Sequence, residues 1–425
     1  MNELEPPILD PALLPAAPHD PYAALRFRDF RLLGIGRFIA VLGEQMVGVA
    51  IGWELYERTG SALALGLVGL VQVVPVILLS LPAGHIADRL DRRQISILAQ
   101  VALALCALGL ALLSATQGAL MLIYGCLLLI GAARAFSDPA NAALLPQTVP
   151  PELFTNAATW ESSTWQLAAV LGPALGGLVI AVQRSATLVY ILNAVAALSC
   201  ALMLLAMRSR RAAPPPSEEA TLSSLAAGAR FVWRTKVLMA AITLDLFAVL
   251  LGGATALLPI FARDILQVGP TGLGWLRAAP SIGAVLMALT LTYLPPIRKA
   301  GPTLLWAVAG FGAATIVFGL SRSFGLSLAM LGLLGALDNV SVVIRGTLML
   351  TRTPDEMRGR VSAVNSVFIG ASNELGGFES GLAAALLNPI TAVVAGGIGT
   401  ILVVTVVALL WPEMRRLGRL GSLEN

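Results

Sequence analysis

Twelve apolar runs, each long enough to cross a lipid bilayer as one helix, dominate this sequence and leave few folds open to it. A spanning helix needs about 20 apolar residues, whereas a spanning strand needs about ten residues of alternating polarity. Because an unpaired backbone group in lipid costs on the order of several kcal/mol, the runs are predicted to be α-helices. They fall in two groups of six, at residues 30–57, 61–83, 95–115, 119–140, 156–181 and 186–207, and at residues 237–261, 271–294, 302–320, 326–349, 357–387 and 389–411.

The composition excludes an ordinary soluble protein. Hydrophobic residues make up 57% of the 425 residues and charged residues only 12%, against roughly 25% charged in soluble chains. A shift of 204 residues aligns Gly131 with Gly335 and Pro150 with Pro354, so the second half is predicted to be a diverged copy of the first. The predicted fold is an all-α integral membrane protein of 12 transmembrane helices in two pseudo-symmetric six-helix halves, with a substrate site between the halves near the midplane.

A polar segment separates the two groups of runs. It contains prolines at 214–216 and then a short amphipathic stretch that ends at Arg234, which indicates a linker followed by a helix at the membrane surface. The predicted organisation is a disordered cytoplasmic tail at 1–25, a first half at 26–207, the linker with its interfacial helix at 208–236, a second half at 237–411 and a cytoplasmic tail at 412–425.

The basic residues give the orientation. Loops on the side that holds both termini carry 20 Lys and Arg residues and loops on the other side carry 4, which predicts a bacterial inner-membrane protein with both termini in the cytoplasm. These charges are spread over short loops rather than one face, so no nucleic-acid partner is predicted. The three cysteines are isolated inside apolar runs and both histidines lie outside them, so neither a metal site nor a cofactor is predicted.

A charged turn follows the second apolar run. Residues 84–93 read G-x-x-x-D-R-x-x-R-R, which resembles motif A of the major facilitator superfamily. Asp91 replaces the usual Gly, and this form is similar to that of the enterobactin-exporter and macrolide-efflux branch. The resemblance implies a conformational latch in which Asp88 docks against the eleventh helix and a charge on helix four, with Arg134 as the candidate partner. Alternatively, these charges only fix topology. The latch residues are Gly84, Asp88, Arg89, Arg92, Arg93 and Arg134.

The fifth run carries a second motif. Residues 168–177 resemble motif C of the superfamily's antiporters, with Ala168 in place of the first Gly. The resemblance implies antiport and a kinked helix whose smooth face packs tightly between the halves. The same motif is also compatible with packing alone. Its matching residues are Gly172, Pro173, Gly176 and Gly177.

Carboxylates inside the spans are the candidates for proton coupling, because a buried charge is costly and usually functional. Glu44 is ranked first, ahead of Asp245 and Glu374, since a desolvated carboxylate at the middle of a span can exchange a proton near neutral pH. Arg37, seven residues before Glu44, lies on the same helix face, so the alternative is a structural Glu44 held by Arg37.

Opposite charges also occupy equivalent places in the two halves. The shift of 204 residues aligns Arg134 with Asp338, and a shift of 208 residues aligns Arg37 with Asp245, so each pair is expected to face across the cleft. The alternative is that each charge is paired inside its own half. The candidate cavity charges are Arg37, Asp338 and Arg345.

The predicted function is export of an apolar or amphipathic small molecule in exchange for protons, by a monomer that alternates between two orientations in the bilayer. The cavity is expected to be lined mainly by apolar side chains of helices one, four, seven and ten.

A dedicated exporter of a siderophore or another self-made metabolite is the first alternative, because Arg37, Arg134, Arg277 and Arg345 suit an anionic substrate. An uptake symporter is the second, which motif C disfavours. A membrane enzyme or sensor is the third, and no nucleotide-binding loop supports it.

Overall fold

The computed structural model describes residues 20–208, 222–295 and 297–418, without the side chains of residues 80, 81, 84, 85, 87–89, 222–225, 363 and 367. In these ranges all regular structure is helical. The first half contains α1 (Arg28–Thr59), α2 (Ala62–Arg89), α3 (Arg92–Ala115), α4 (Leu120–Leu144), α5 (Phe154–Gln183) and α6 (Thr187–Ala206). The rest contains α7 (Leu222–Arg234), α8 (Lys236–Leu251), α9 (Gly269–Tyr293), α10 (Ala300–Leu320), α11 (Phe324–Arg352), α12 (Asp355–Leu386), α13 (Pro389–Leu410) and α14 (Pro412–Arg416).

The predicted twelve spans are confirmed. Eleven described segments are long and apolar enough to cross a membrane. The seventh of them runs from Lys236 to Ile265, because short helical turns at Ala254–Leu257, Leu258–Ile260 and Phe261–Ile265 continue α8. The remaining span, the eleventh in chain order, is α12, which carries Glu374 and Glu379 within its length and packs against α2 and α8 inside the bundle.

Turn residues end the helices where the apolar runs stop. Gly60 adopts a left-handed conformation at the end of α1, with φ of 60°, and Ser61 caps α2 by accepting a hydrogen bond from the Ala64 N–H at 3.4 Å. Asp91 caps α3, since its Oδ1 accepts from the Arg93 N–H at 2.9 Å. The residue that departs from the usual motif A therefore starts the third helix.

The described part of the predicted N-terminal tail is ordered. Residues 20–25, predicted to be part of a disordered tail, pack against α5: Ala24 is fully buried and its N–H donates to Asn156 Oδ1 at 3.1 Å. The carbonyl of Pro21 accepts from the indole N–H of Trp160 at 2.9 Å. Polar side chains of α5 that the sequence does not distinguish from surface residues thus hold this segment in place.

The linker ends in the predicted helix. α7 packs against α12, where Gly228 meets the backbone of Arg360: a Cβ on Gly228 would lie 2.8 Å from the Arg360 carbonyl oxygen. Trp233 of α7 is 75% exposed. The helix therefore packs closely on the second half at Gly228 and through Val232, which is buried with Ile242 and Val361, and it presents an aromatic side chain outward.

The two halves meet along two lines of contact, α2 with α12 and α5 with α9. Glycines form both lines: Gly66 lies against Gly381, and Gly177 lies against Gly274. We call the end of the bundle that carries residue 20 and residue 418 the terminal end, and the opposite end the remote end. All four glycines lie in the remote halves of their helices, so the closest contacts between the halves are at the remote end.

Candidate functional site

A cavity of about 560 Å³ lies between the two halves, near the middle of the bundle. Helices of both halves line it, α1 to α5 from the first half and α9, α12 and the segment after α8 from the second. Its polar lining residues are Arg37, Glu44, Gln45, Gln72, Gln100, Arg134, Ser137, Asp138, Asn141, Thr255, Arg277, Asn373 and Glu374. The expectation of a mainly apolar lining is therefore wrong. α11, the tenth span, contributes none of the described lining residues, which corrects the expected set of lining helices.

An ion pair crosses the first half at the middle of the cavity. Arg134 Nη2 on α4 lies 3.2 Å from Glu44 Oε2 on α1, and Arg134 Nη1 lies 3.5 Å from Gln72 Oε1 on α2. Gly131, one turn before Arg134, has no side chain and lets α4 approach the carbonyl of Gln72. The close packing of α4 on α2 thus directs the guanidinium toward α1.

Arg37 does not hold Glu44. Its guanidinium pairs instead with Glu161 of α5, on the terminal side of the cavity. The sequence spacing correctly placed Arg37 and Glu44 on one face of α1, but it gave no information about the partner that α5 supplies. Trp165, one turn after Glu161, also lines the cavity and is 50% exposed, as is expected where the cavity approaches solvent.

The second half contributes Arg277 on α9 and Glu374 on α12. Arg277 Nη1 donates to the carbonyl oxygen of Gly48 on α1 at 3.1 Å, and a Cβ on Gly48 would lie 3.0 Å from Arg277 Nη2. Glu374 interacts electrostatically with both Arg134 and Arg277, and its backbone lies against Gly69 of α2. These two side chains therefore face the first half directly.

The remaining predicted charges form a separate cluster inside the second half. Asp245 of α8 pairs with Arg345 of α11, and Asp338 lies next to them in a small pocket between α8, α10 and α11. Asp245, Asp338 and Arg345 thus lie outside the central cavity, and the expected pairing across the cleft is wrong in this structure. Three of the four charges expected to face across the cleft pair within their own half instead: Arg37 with Glu161, Arg134 with Glu44, and Asp245 with Arg345.

The motif A turn is described only in part, because the side chains of Gly84, Asp88 and Arg89 are outside the described residues. Arg93 donates to the carbonyls of Leu204 at 2.7 Å and Leu205 at 2.5 Å, at the negative end of the α6 dipole. Arg92 begins α3 beside it. The turn is thereby attached to the end of α6 within the first half.

Arg134 was expected to be the partner of this turn, and the structure corrects that assignment. Its guanidinium lies level with Gln72 on α2, whereas α2 ends at Arg89, seventeen residues further along. At 1.5 Å per residue that separation is about 25 Å, far beyond the reach of an arginine. Arg134 therefore belongs to the cavity.

The motif C residues lie at helix contacts, as the resemblance implies. Gly172 and Gly176 face Gln45 and Met46 of α1, and Gly177 faces Pro270 and Gly274 of α9. Pro173 lies inside α5 and is buried with them. The motif packs α5 against a helix of its own half and against the other half.

Sequence reasoning missed several residues of the site. Gln72 and Gln100 are polar residues inside apolar runs, and that position in the sequence would have been enough to predict them as cavity residues. Asn141 lies near the end of α4 and Trp165 lies inside α5, and neither carries such a signal. Arg277 was named from the sequence only as one of four arginines that suit an anionic substrate, because its exact place in the cavity depends on how α9 packs against α5.

The chain matches the family model described as transmembrane secretion effector over residues 19–418. Enterobactin exporter EntS of Shigella boydii serotype 18 (strain CDC 3083-94 / BS512) and Enterobactin exporter EntS of Escherichia coli O1:K1 / APEC are each 27% identical to it over 390 residues, which cover 91% of this chain and 92% of each relative.

Solved structures show the same fold. A bacterial homolog of the human lysosomal transporter Spinster, in an inward-facing and occupied conformation, has a TM-score of 0.72 at 14% identity and covers 94% of this chain and 98% of its own. A POT family transporter in complex with 5-aminolevulinic acid has a TM-score of 0.72 at 12% identity and covers 91% and 97%. With the family match over nearly the whole chain and its apolar spanning helices, the protein belongs to the transmembrane secretion effector family of the major facilitator superfamily and is a multi-pass membrane protein.

Proposed function

We propose that this protein exports an amphipathic small molecule across the bacterial inner membrane in exchange for protons, working as a monomer by alternating access. The observation that carries the proposal is the central cavity, which is lined by charged and amide side chains of both halves and closed at the remote end by glycine contacts. A site between two pseudo-symmetric halves can be opened to either side of the membrane by rocking one half against the other.

The distribution of basic residues supports an orientation with the terminal end in the cytoplasm. Asp138 and Trp165, both exposed, lie on the terminal side of the cavity, while the glycine contacts lie at the remote end. In this orientation the cavity is accessible from the cytoplasm, and the structure represents an inward-facing state. The similar structure of the Spinster homolog is also inward-facing.

Two carboxylates in the cavity are suited to proton coupling. Protonation of Glu44 would break its pair with Arg134 and free a guanidinium at the middle of the cavity. Glu374 has no cationic nitrogen within 4 Å among the described residues, so its protonation would break no ion pair. Asp245 is held by Arg345 outside the cavity and ranks third.

The polar lining favours a substrate that carries polar or charged groups beside its apolar surface. The relatives are named as exporters of enterobactin, and a siderophore or another self-made metabolite is therefore the second candidate substrate class. A drug-like amphipathic compound is the first, because the cavity also contains apolar and aromatic surface from Ile51, Ile130 and Trp165.

Accumulation of a panel of fluorescent and antibiotic compounds in efflux-deficient bacteria tests the proposal. Cells that express the protein should accumulate less of at least one compound than cells with an empty vector, and a protonophore should abolish the difference. The same cultures are analysed by mass spectrometry for metabolites that appear in the medium only when the protein is expressed. If neither measurement distinguishes the protein from the empty vector, the proposed export function is wrong.

A further inference from the structure

We propose that Arg277 is the residue that binds an anionic group of the substrate, so that the transported compounds are organic acids or carry another acidic group. This proposal rests on the proposed export function and names the substrate class of the same cavity.

The three guanidinium groups of the cavity have different partners. Arg37 is neutralised by Glu161 and Arg134 by Glu44. For Arg277 the structure records only the hydrogen bond to the Gly48 carbonyl, and no described carboxylate oxygen lies within 4 Å of its guanidinium. Arg277 is therefore the one cavity arginine, among the described residues, whose charge has no ion-pair partner.

An unpaired cation at this depth is unusual. Charged side chains within membrane spans are costly, pair with one another or with backbone carbonyls, and mark substrate and ion pathways. A guanidinium has five N–H donors in a fixed fork, and the Gly48 carbonyl uses one of them. Several donors of Arg277 thus remain for a ligand in the cavity that it lines.

The position of the guanidinium is fixed by packing. Gly48 provides both the acceptor carbonyl and the space for Nη2, since a Cβ there would lie only 3.0 Å away. Glu374 interacts with Arg277 through space without forming an ion pair, and it lines the same cavity. The guanidinium of Arg277 is thus held in place while its positive charge stays available for a ligand. A carboxylate, phenolate or phosphate group has the negatively charged oxygens that such a guanidinium binds.

The alternative is a purely structural role, in which Arg277 only fastens α9 to α1 through the Gly48 carbonyl. The two roles differ in what loss of the charge does. Loss of a structural contact lowers transport of every substrate alike, whereas loss of an anion-binding group selectively lowers transport of acids.

The test uses inverted membrane vesicles from bacteria that express the wild-type protein, Arg277→Gln, Arg277→Lys or Arg352→Gln. Arg352 is exposed at the end of α11, outside the cavity. Arg352→Gln is therefore the matched control, because it also replaces one arginine by glutamine. The vesicles are energised and offered aromatic carboxylates, each paired with its uncharged primary amide. The medium of the same cells is compared by mass spectrometry, and each exported compound is classified by its charge at pH 7.

We expect the wild type and Arg352→Gln to prefer acids over the matched amides, and the compounds exported to the medium to be acids. Arg277→Gln should lose about tenfold or more of the acid transport while transport of any amide is kept, and Arg277→Lys, which keeps the charge without the fork, should lie between them. Membrane content and the thermal unfolding midpoint show whether each variant folds.

Three results overturn the proposal: exported compounds that are uncharged or cationic, equal loss of acid and amide transport in Arg277→Gln, or unchanged acid transport in that variant. Each of these results leaves export itself intact. A wild type that transports nothing beyond the empty vector overturns the proposed function instead, so the two failures are distinguishable.

Discussion

The hydroxyl of Tyr56 on α1 donates a hydrogen bond to the carboxylate of Asp264, which belongs to the second half. Arg263 adds to this contact, because its Nη1 donates to the Tyr56 carbonyl at 3.4 Å and its guanidinium lies 5.7 Å from the centre of the Tyr56 ring. All three residues lie at the remote end, beyond the cavity. A π-helical turn at Phe261–Ile265 places Arg263 and Asp264 there, and such turns often occur at functional sites.

We predict that Tyr56→Phe shifts the protein toward a state that is open at the remote end. The variant loses a hydrogen bond to a charged acceptor, worth about 1.5–3 kcal/mol, which would change the ratio of the two states by roughly tenfold or more. Spin labels at Gln117 and Arg322, both exposed at the remote end, would report the shift as a longer distance distribution. Tyr190→Phe is the matched control, since the Tyr190 hydroxyl donates to Glu54 at 2.8 Å within the first half. Equal distributions for Tyr56→Phe and the wild type would exclude Tyr56 as a gate residue.

Glu44→Gln is expected to abolish pH-driven exchange, because glutamine keeps the shape of the side chain but cannot carry a proton. Transport by the purified protein in proteoliposomes, with and without an imposed pH gradient, measures the coupling directly. Glu374→Gln is examined in parallel, because Glu374 is another carboxylate of the cavity and the second candidate for proton coupling. If the gradient still drives transport in Glu44→Gln but not in Glu374→Gln, the coupling role belongs to α12.

Asp88→Asn is predicted to reduce transport strongly while membrane insertion is unchanged, since the resemblance to motif A gives this carboxylate a role in the conformational cycle. The control is Asp91→Asn in the same turn. Asp91 caps α3 through its Oδ1, and asparagine caps helices as well as aspartate does, so this variant should stay active. Transport rates normalised to membrane content compare the two, and a fully active Asp88→Asn would refute the latch.

Gly177→Leu should prevent the halves from closing at the remote end. A Cβ at this position would overlap the Pro270 carbonyl and lie 3.0 Å from the Cα of Gly274, so α5 and α9 must separate. Overpacking of this kind costs about 1–3 kcal/mol. Thermal unfolding and the same pair of spin labels measure the cost and the separation. Gly125→Leu on α4 is the control, because nothing lies within 4 Å of its Cβ position, and equal effects of the two variants would contradict the argument.

The helices could be predicted from the sequence because bilayer thickness ties the length of an apolar run to one spanning helix. The site could be predicted only in part. Glu44, Glu374, Arg37 and Arg134 line the cavity as ionisable residues inside spans should. The ion-pair partners predicted across the cleft were wrong, because a sequence shift shows which positions of the two halves are equivalent. It does not show which neighbouring side chain each residue faces.

Two examples show this limit. Arg345 pairs with Asp245 because α11 packs on α8 inside the second half, and Arg37 pairs with Glu161 because α5 packs on α1. Neither helix contact is encoded in the local pattern of either helix. The sequence could not separate Arg277 from the other three arginines inside spans for the same reason, since its place in the cavity depends on the contact between α9 and α5.

The glycine contacts between the halves, Gly66 with Gly381 and Gly177 with Gly274, bring backbone against backbone with no side chains interlocked between them. Surfaces of this kind can roll over one another without any rotamer change, so rearrangement of the halves needs little repacking. The preference for one orientation is then left to a few polar contacts such as that of Tyr56 with Asp264. Single substitutions at such polar contacts can therefore change which orientation a transporter of this kind prefers at rest, without repacking the glycine contacts between its halves.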